Sequence, residues 1–228
     1  MNEQPIEKRI TRSNGYLDVV DIFSTIQGEG PFTGHRAIFV RLAGCNLQCP
    51  GCDTDYTSNR KEYYDSELVV EIARLVQPPY LVVITGGEPF RQNISAFANT
   101  LIALGYKVQV ESNGTVPPSE GLREEVSIVC SPKTGRMNPK MAERADCFKY
   151  VMHADSVDID GLPIKALDHS ANPRVARPPE GNTRPVYLQP MDSKNIAQNH
   201  RNIQAVVESC IKHGYQLQLQ IHKIVGVE

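Results

Sequence analysis

Three cysteines stand within the eight residues Cys45-Asn46-Leu47-Gln48-Cys49-Pro50-Gly51-Cys52. They are too tightly grouped to staple distant parts of a fold as disulfides, and in a reducing compartment such a group more often binds metal. Thiolates are the usual ligands of iron–sulfur clusters, and a cubane has four irons. Three closely spaced cysteines can therefore leave one iron open to another ligand. The alternative is a structural zinc site, which is closed and tetrahedral and needs a fourth ligand from Cys130, Cys147, Cys210 or a histidine. Those three cysteines lie singly in apolar or mixed segments, where a small buried side chain is the simpler reading.

Other polar groups recur at the ends of apolar runs. Tyr80-Leu81-Val82-Val83-Ile84 leads into Thr85-Gly86-Gly87-Glu88-Pro89, where two glycines allow close backbone approach to a ligand. Glu111-Ser112-Asn113-Gly114-Thr115, Ser131-Pro132-Lys133 and Gln189-Pro190-Met191-Asp192 close later runs, and Gln27-Gly28-Glu29-Gly30 precedes the cysteines. Taken alone, Thr85 to Pro89 reads equally well as a tight turn, Gln27 to Gly30 can be an ordinary surface turn, and Lys133 a solvated lysine. Their shared position is the stronger signal.

Strands are expected at Leu17 to Phe23, Ala37 to Leu42, Leu81 to Thr85 and Lys107 to Glu111, then at Val126 to Ser131, Cys147 to Met152, Val186 to Gln189 and Gln216 to His222. Helical periodicity runs from Ser66, a candidate cap, to Val76, from about Ile94 to Leu104 before Gly105, and from about Ile196 to His213 before Gly214. Strands alternating with helices predict βαβ units, a parallel sheet and a site at the carboxyl ends of its strands. The proline-rich stretch 155–185 breaks the rhythm and predicts an irregular insertion over one face, or a partly mobile loop.

The chain has 228 residues, 40% of them apolar, and a formal net charge of -2. That balance gives no electrostatic reason for binding nucleic acid or an anionic membrane, and it favours a small-molecule substrate. No run of eighteen apolar residues occurs, and the opening MNEQPIEKRI lacks a signal-like stretch, so a cytoplasmic protein is expected.

The C-x3-C-x2-C spacing resembles the signature of radical S-adenosylmethionine (SAM) enzymes, and TGGEP resembles their GGEP motif. More specifically, Q-G-E-G, F-x-G-x-x-A-I-F-V-R-L-x-G-C, C-D-T after the third cysteine, V-V-I-T-G-G-E-P and the late Q-I-H-K resemble the 7-carboxy-7-deazaguanine synthases. The matches span most of the chain outside the proline-rich stretch. Since a full eight-unit barrel takes about 250 residues, the expected fold is α/β: an abbreviated, open (β/α) radical SAM barrel with mostly parallel strands, in one domain over residues 1–228.

The resemblance implies that Cys45, Cys49 and Cys52 hold a [4Fe–4S] cluster. It implies that SAM is bound by Gly51, Cys52 and Asp53, by Gly86, Gly87 and Glu88, by Glu111 and Asn113, and by Ser131, Pro132, Lys133, Gln189, Pro190, Met191 and Asp192. Thr54 would supply a hydroxyl to Mg²⁺, an ion that takes oxygen ligands and keeps waters. Substrate contacts would come from Ile26, Gln27, Gly28, Glu29, Arg41, Thr85, His222 and Glu228.

The reaction so implied converts 6-carboxy-5,6,7,8-tetrahydropterin to 7-carboxy-7-deazaguanine and ammonia, on the route to queuosine, with an external electron donor such as flavodoxin and a homodimeric enzyme. The residues suit that substrate: Gln27 and Glu29 can pair an amino-pyrimidinone edge, and Arg41 can grip a carboxylate with two hydrogen bonds. No residue is singled out as a general base. A glycyl-radical activase would share the cysteines and GGEP but does not predict Q-G-E-G or C-D-T. A zinc-stabilised RNA-binding module would leave the glycine-rich strand ends unexplained.

Overall fold

The computed structural model describes residues 2–10, 15–78, 80–169 and 174–227. Its first half runs β1 (Tyr16–Ile26), β2 (Arg36–Leu42), β3 (Lys61–Tyr64), α1 (Asp65–Leu75), β4 (Leu81–Gly86), α2 (Ser95–Ala103) and β5 (Lys107–Ser112). There follow β6 (Ser127–Cys130), α3 (Pro139–Arg144), β7 (Cys147–Met152), β8 (Val186–Pro190), α4 (Ile196–His213), β9 (Gln216–Leu217) and α5 (Ile221–Val225).

The nine strands form one sheet in the order β3-β1-β2-β4-β5-β6-β7-β8-β9. Every pairing from β2 across to β9 is parallel, whereas β1 is antiparallel to both β2 and β3. Its edges, β3 and β9, remain apart, so the sheet is the open, mostly parallel α/β form that the sequence predicts.

β4 is an unbroken apolar run because both its faces are covered, the rule for strands inside parallel sheets. Leu81, Val82, Val83 and Ile84 are each at most 2% exposed: Val82 and Ile84 pack in one cluster with Leu68, Val69 and Ile72 of α1, and Leu81 and Val83 in another with Ala37. Each such side chain contributes about 1.5–3 kcal/mol on burial. Among the described residues no helix is long and apolar enough to cross a membrane.

Several expectations need correction. α1 begins at Asp65, not behind a Ser66 cap: β3 runs up to Tyr64, whose N–H is accepted by the Glu67 carboxylate at 3.0 Å. β3 itself escapes the sequence pattern because Lys61 and Glu62 make it polar, as suits an edge strand. α3 does have a legible start, Asn138 capping ahead of Pro139 at the first helical position.

The strand expected over Gln216 to His222 stops at Leu217 and gives way to α5. The strand ends before Gln218, whose N–H still donates to Leu188 O at 2.9 Å while its side chain is taken by the turn after β1: it accepts from Gly30 N at 2.7 Å and donates to Thr33 Oγ1 at 3.1 Å. Residues 157–169 and 174–185 hold no helix or named strand, and Leu162, Ala166 and Val175 among them are buried. Arg177 ties them down through Asp158 at 3.0 Å and Asp160 at 2.8 Å.

One feature was not anticipated from the sequence. Residues 2–10 lie along the cysteine loop, with Asn2 N donating to Pro50 O at 3.2 Å, Glu7 N to Cys45 O at 2.7 Å and Ile10 N to Arg91 O at 2.7 Å. Arg91 is 2% exposed and forms an ion pair with Glu7. Glu7→Ala, which strands that buried guanidinium, is expected to cost about 2–4 kcal/mol in urea unfolding. Arg91→Met should cost less, because the partly exposed Glu7 keeps its ion pair with Arg60.

Candidate active site

β2 carries the chain from the buried run Ala37 to Leu42 through Ala43 and Gly44 into the three cysteines. Cys45 and Cys49 are buried, Cys52 is half-buried, and all three are free thiols lining a cavity of about 160 Å³. The loop is held on every side. Cys52 N donates to Cys49 O at 3.1 Å, Gly51 N to Leu167 O at 2.9 Å, and Asn113 Nδ2 to Asn46 Oδ1 at 2.9 Å. From the amino-terminal segment, Gln4 donates to Thr54 O at 2.8 Å and accepts from Tyr56 N at 2.8 Å.

Burial pushes the Cys45 thiol up to about 12 and Cys49 to about 11, and raises Cys52 also, so metal binding must displace their protons. Among the described residues no three His, Cys, Asp or Glu are arranged to hold a single metal ion. No fourth cysteine or histidine lines this cavity, so the donors fall short of a closed zinc site. Three thiolates on one braced loop fit an iron–sulfur cluster that keeps one iron open.

The Gly86-Gly87 turn comes closest to the cysteine-bearing strand. A Cβ on Gly86, whose φ is +133°, would lie 2.1 Å from Leu42 O, and one on Gly87 would lie 2.3 Å from Gly44 O and 2.6 Å from Cys45 Cβ. Both glycines also line the smaller cavity. Glu88 does not: its fully buried carboxylate accepts from Asn113 N at 2.7 Å, Phe90 N at 3.1 Å and Ser112 Oγ at 2.9 Å. Burial raises its carboxyl to about 7 against these hydrogen bonds. Glu88 thus joins the β4 turn to the end of β5 and sets Asn113 in the cavity wall.

A larger cavity of about 890 Å³ opens beside the first, and Cys52, Asp53, Thr54, Thr85 and Glu111 line both. Its size is within the range of small-ligand sites. Ile26, Gln27, Gly28, Glu29, Arg41, Thr85 and His222 all line it. Gly51, Gln189, Met191 and Asp192 also face it, while Ser131 and Lys133 face the smaller cavity. Pro132 and Pro190 line neither, and Glu228 lies outside the described residues.

Gln27 donates to Glu111 Oε1 at 3.1 Å, and its own oxygen accepts from Glu29 N at 3.1 Å. Arg41 sits 5.1 Å from the Phe23 ring centroid, with its Nε buried and without a hydrogen-bond partner. Gln189 Oε1 is buried and unpartnered too. The His222 ring occupies the space that a Cβ on Gly28 would need, 1.8 Å from Nδ1, and burial lowers its pKa.

Sequence reading missed three groups at this site. Lys149 forms ion pairs with Glu29 and, at 3.1 Å, with Glu111. Gln220 donates to the other Glu29 oxygen at 2.8 Å, and Lys223 meets Asp53 at 3.3 Å and Asp192 at 3.2 Å. A lysine in the middle of the apolar run Cys147 to Met152 was the available signal. Burial alone would raise the Glu29 carboxyl, but Lys149 and Gln220 hold it down at about 2.

An open, mostly parallel sheet whose second strand delivers a three-cysteine loop against a Gly-Gly turn defines a radical SAM enzyme. Residues 26–115 match the model of a family described as a 4Fe-4S single cluster domain. The chain is 41% identical over 219 residues to 7-carboxy-7-deazaguanine synthase of Rhodospirillum rubrum, covering 92% of each chain. It is 35% identical over 223 residues to that of Rickettsia prowazekii, covering 93% of this chain and 89% of the relative. A crystal structure of QueE from Escherichia coli shares the fold, with a TM-score of 0.71 and 23% identity over 91% of this chain and 95% of that one. The chain belongs to the 7-carboxy-7-deazaguanine synthase family.

Proposed function

We propose that this protein converts 6-carboxy-5,6,7,8-tetrahydropterin to 7-carboxy-7-deazaguanine and ammonia. The observation that carries the reading is one cavity combining Gln27, Glu29 and a buried Arg41 Nε without a partner, and opening at Thr85 and Glu111 onto the cysteine cavity. An amino-pyrimidinone edge needs acceptors and donors in fixed places, as the Gln27 and Glu29 side chains offer, and a carboxylate suits Arg41. When bound at Cys45, Cys49 and Cys52, a [4Fe–4S] cluster with SAM supplies the radical that initiates the chemistry. The chain's residues bind and orient the heterocycle beside it and limit access of water.

Thr54 lines both cavities, where an oxygen donor suits Mg²⁺, and we assign it that role. We assign SAM to Gly86, Gly87, Asn113, Ser131 and Lys133 in the smaller cavity, with Gln189, Met191 and Asp192 at the neighbouring wall. The same reading includes an external electron donor such as flavodoxin, a homodimer, and a cytoplasmic setting.

Anaerobic reconstitution with iron and sulfide, followed by incubation with reductant, SAM, Mg²⁺ and the pterin, is expected to give 7-carboxy-7-deazaguanine by mass spectrometry. A reconstituted protein that cleaves SAM without that product overturns the substrate assignment. Arg41→Met should weaken pterin binding about 10- to 200-fold, the worth of a charged hydrogen-bond pair, and leave reductive SAM cleavage in place.

A further inference from the structure

Lys149 stands in the middle of β7 and is 4% exposed. It lines neither cavity, yet both carboxylates it touches line the larger one and Glu111 lines the smaller one too. Each carboxylate places one oxygen on the ammonium and the other on side-chain amides. Glu29 Oε1 accepts from Gln220 at 2.8 Å, and Glu111 Oε1 accepts from Gln27 at 3.1 Å and Gln109 at 3.0 Å. Three strands or turns, after β1, at β5 and in β7, are thereby joined at one nitrogen.

We infer that Lys149 is a positioning residue for substrate recognition, fixing Glu29 against the heterocycle and Glu111 at the junction of the two cavities as one rigid ion triad. The inference rests on the substrate reading above. Among the described residues no other lysine or arginine pairs with Glu29 or Glu111. Lys133, which faces the triad from the end of β6, donates to Ser131 O at 2.7 Å, and His222, facing it from α5, has its pKa lowered by burial. Among the described residues, Cys147 on β7 itself has its thiol pushed up to about 12 by burial, and Tyr187, in register with Lys149 on β8, has its hydroxyl raised by burial.

Without the ammonium, two like charges share a buried space, and one carboxyl keeps a proton into the neutral range. A protonated Glu29 turns an acceptor into a donor, which mismatches an edge that binds through its own N–H groups.

The test is equilibrium binding of 6-carboxytetrahydropterin to the reconstituted, unreduced holoenzyme with SAM, from about pH 5.5 to 8.5, spanning the range where a raised carboxyl titrates. Wild type should bind with an affinity that stays flat. Lys149→Met should bind about 10-fold or more weakly at the acid end and recover as pH rises, the loss of at least one charged hydrogen bond. Lys149→Arg, which keeps the charge, should restore the flat profile whatever its affinity.

A uniform loss at every pH in Lys149→Met, or no loss, overturns the inference. Failure of wild type to bind overturns the substrate reading instead, and thermal unfolding then decides the triad alone. With carboxyls raised by burial, Lys149→Met must lose stability as pH rises from about 5 to 8, an added slope beyond the one that the raised Glu88 carboxyl already gives wild type. Absence of that slope sinks the triad.

Discussion

Cys49→Ala is expected to remove the brown visible absorption of the reconstituted protein and all detectable product at once. Two thiolates on one loop cannot hold a cubane that the fold supplies with three donors, and no further cysteine lines the cavity to replace the lost one. Iron and sulfide content, read beside SAM cleavage, checks the result. Cys210→Ala is the control. That residue lies on α4, away from both cavities, and the variant should keep colour and turnover. A Cys49→Ala protein that retains a full cluster would mean that the loop is not its seat.

The second large effect is on stability. Gly87→Ala places a methyl 2.3 Å from Gly44 O and 2.6 Å from Cys45 Cβ, contacts that neither backbone nor a Cβ can relieve by rotating. The β4 turn and the cysteine loop must separate, at a cost of about 3 kcal/mol or more. Gly121→Ala makes the comparison: Gly121, unlike Gly87, has a positive φ, +75°, but nothing lies within 4 Å of the added methyl, so only about 1–2 kcal/mol is expected. Urea unfolding of the two variants separates steric conflict from backbone strain. Similar losses would show that close approach is not what requires Gly87.

The parallel sheet was legible because β2 and β4 are mostly apolar runs ended by the cysteine loop and the Gly-Gly turn, and because further valine-rich or aromatic strands recur between helical patterns. The cysteine loop was legible from spacing alone. What the sequence hid was set by contacts distant along the chain. α5 forms because Gln218 is captured by the turn at Gly30 and Thr33, nearly two hundred residues earlier, which no local pattern records. Glu88 resembles a ligand group by its neighbours, yet the structure gives its carboxylate to Asn113, Phe90 and Ser112. The run at residues 2–10 has no periodicity of its own, and its conformation follows the loop it lies on. Lys149 was passed over because a charged side chain in a strand is normally exposed, and only the structure shows the two carboxylates that make its burial tolerable.

The antiparallel pairing of β1 with β2 places Gln27, Glu29 and Arg41 on one hairpin, while Gly86, Gly87, Asn113 and Ser131 come from parallel strand ends beyond it. On the proposed reading, these substrate contacts and these SAM contacts therefore come from different parts of the sheet. A hairpin graft into a related scaffold would exchange only part of the substrate wall, since Thr85 of β4 and His222 of α5 would stay behind. Such a graft must also carry the lysine of β7, since a transplanted Glu29 would otherwise arrive without its counter-charge. Redesign of specificity on this scaffold thus has a minimum unit that is contiguous in space and divided in sequence.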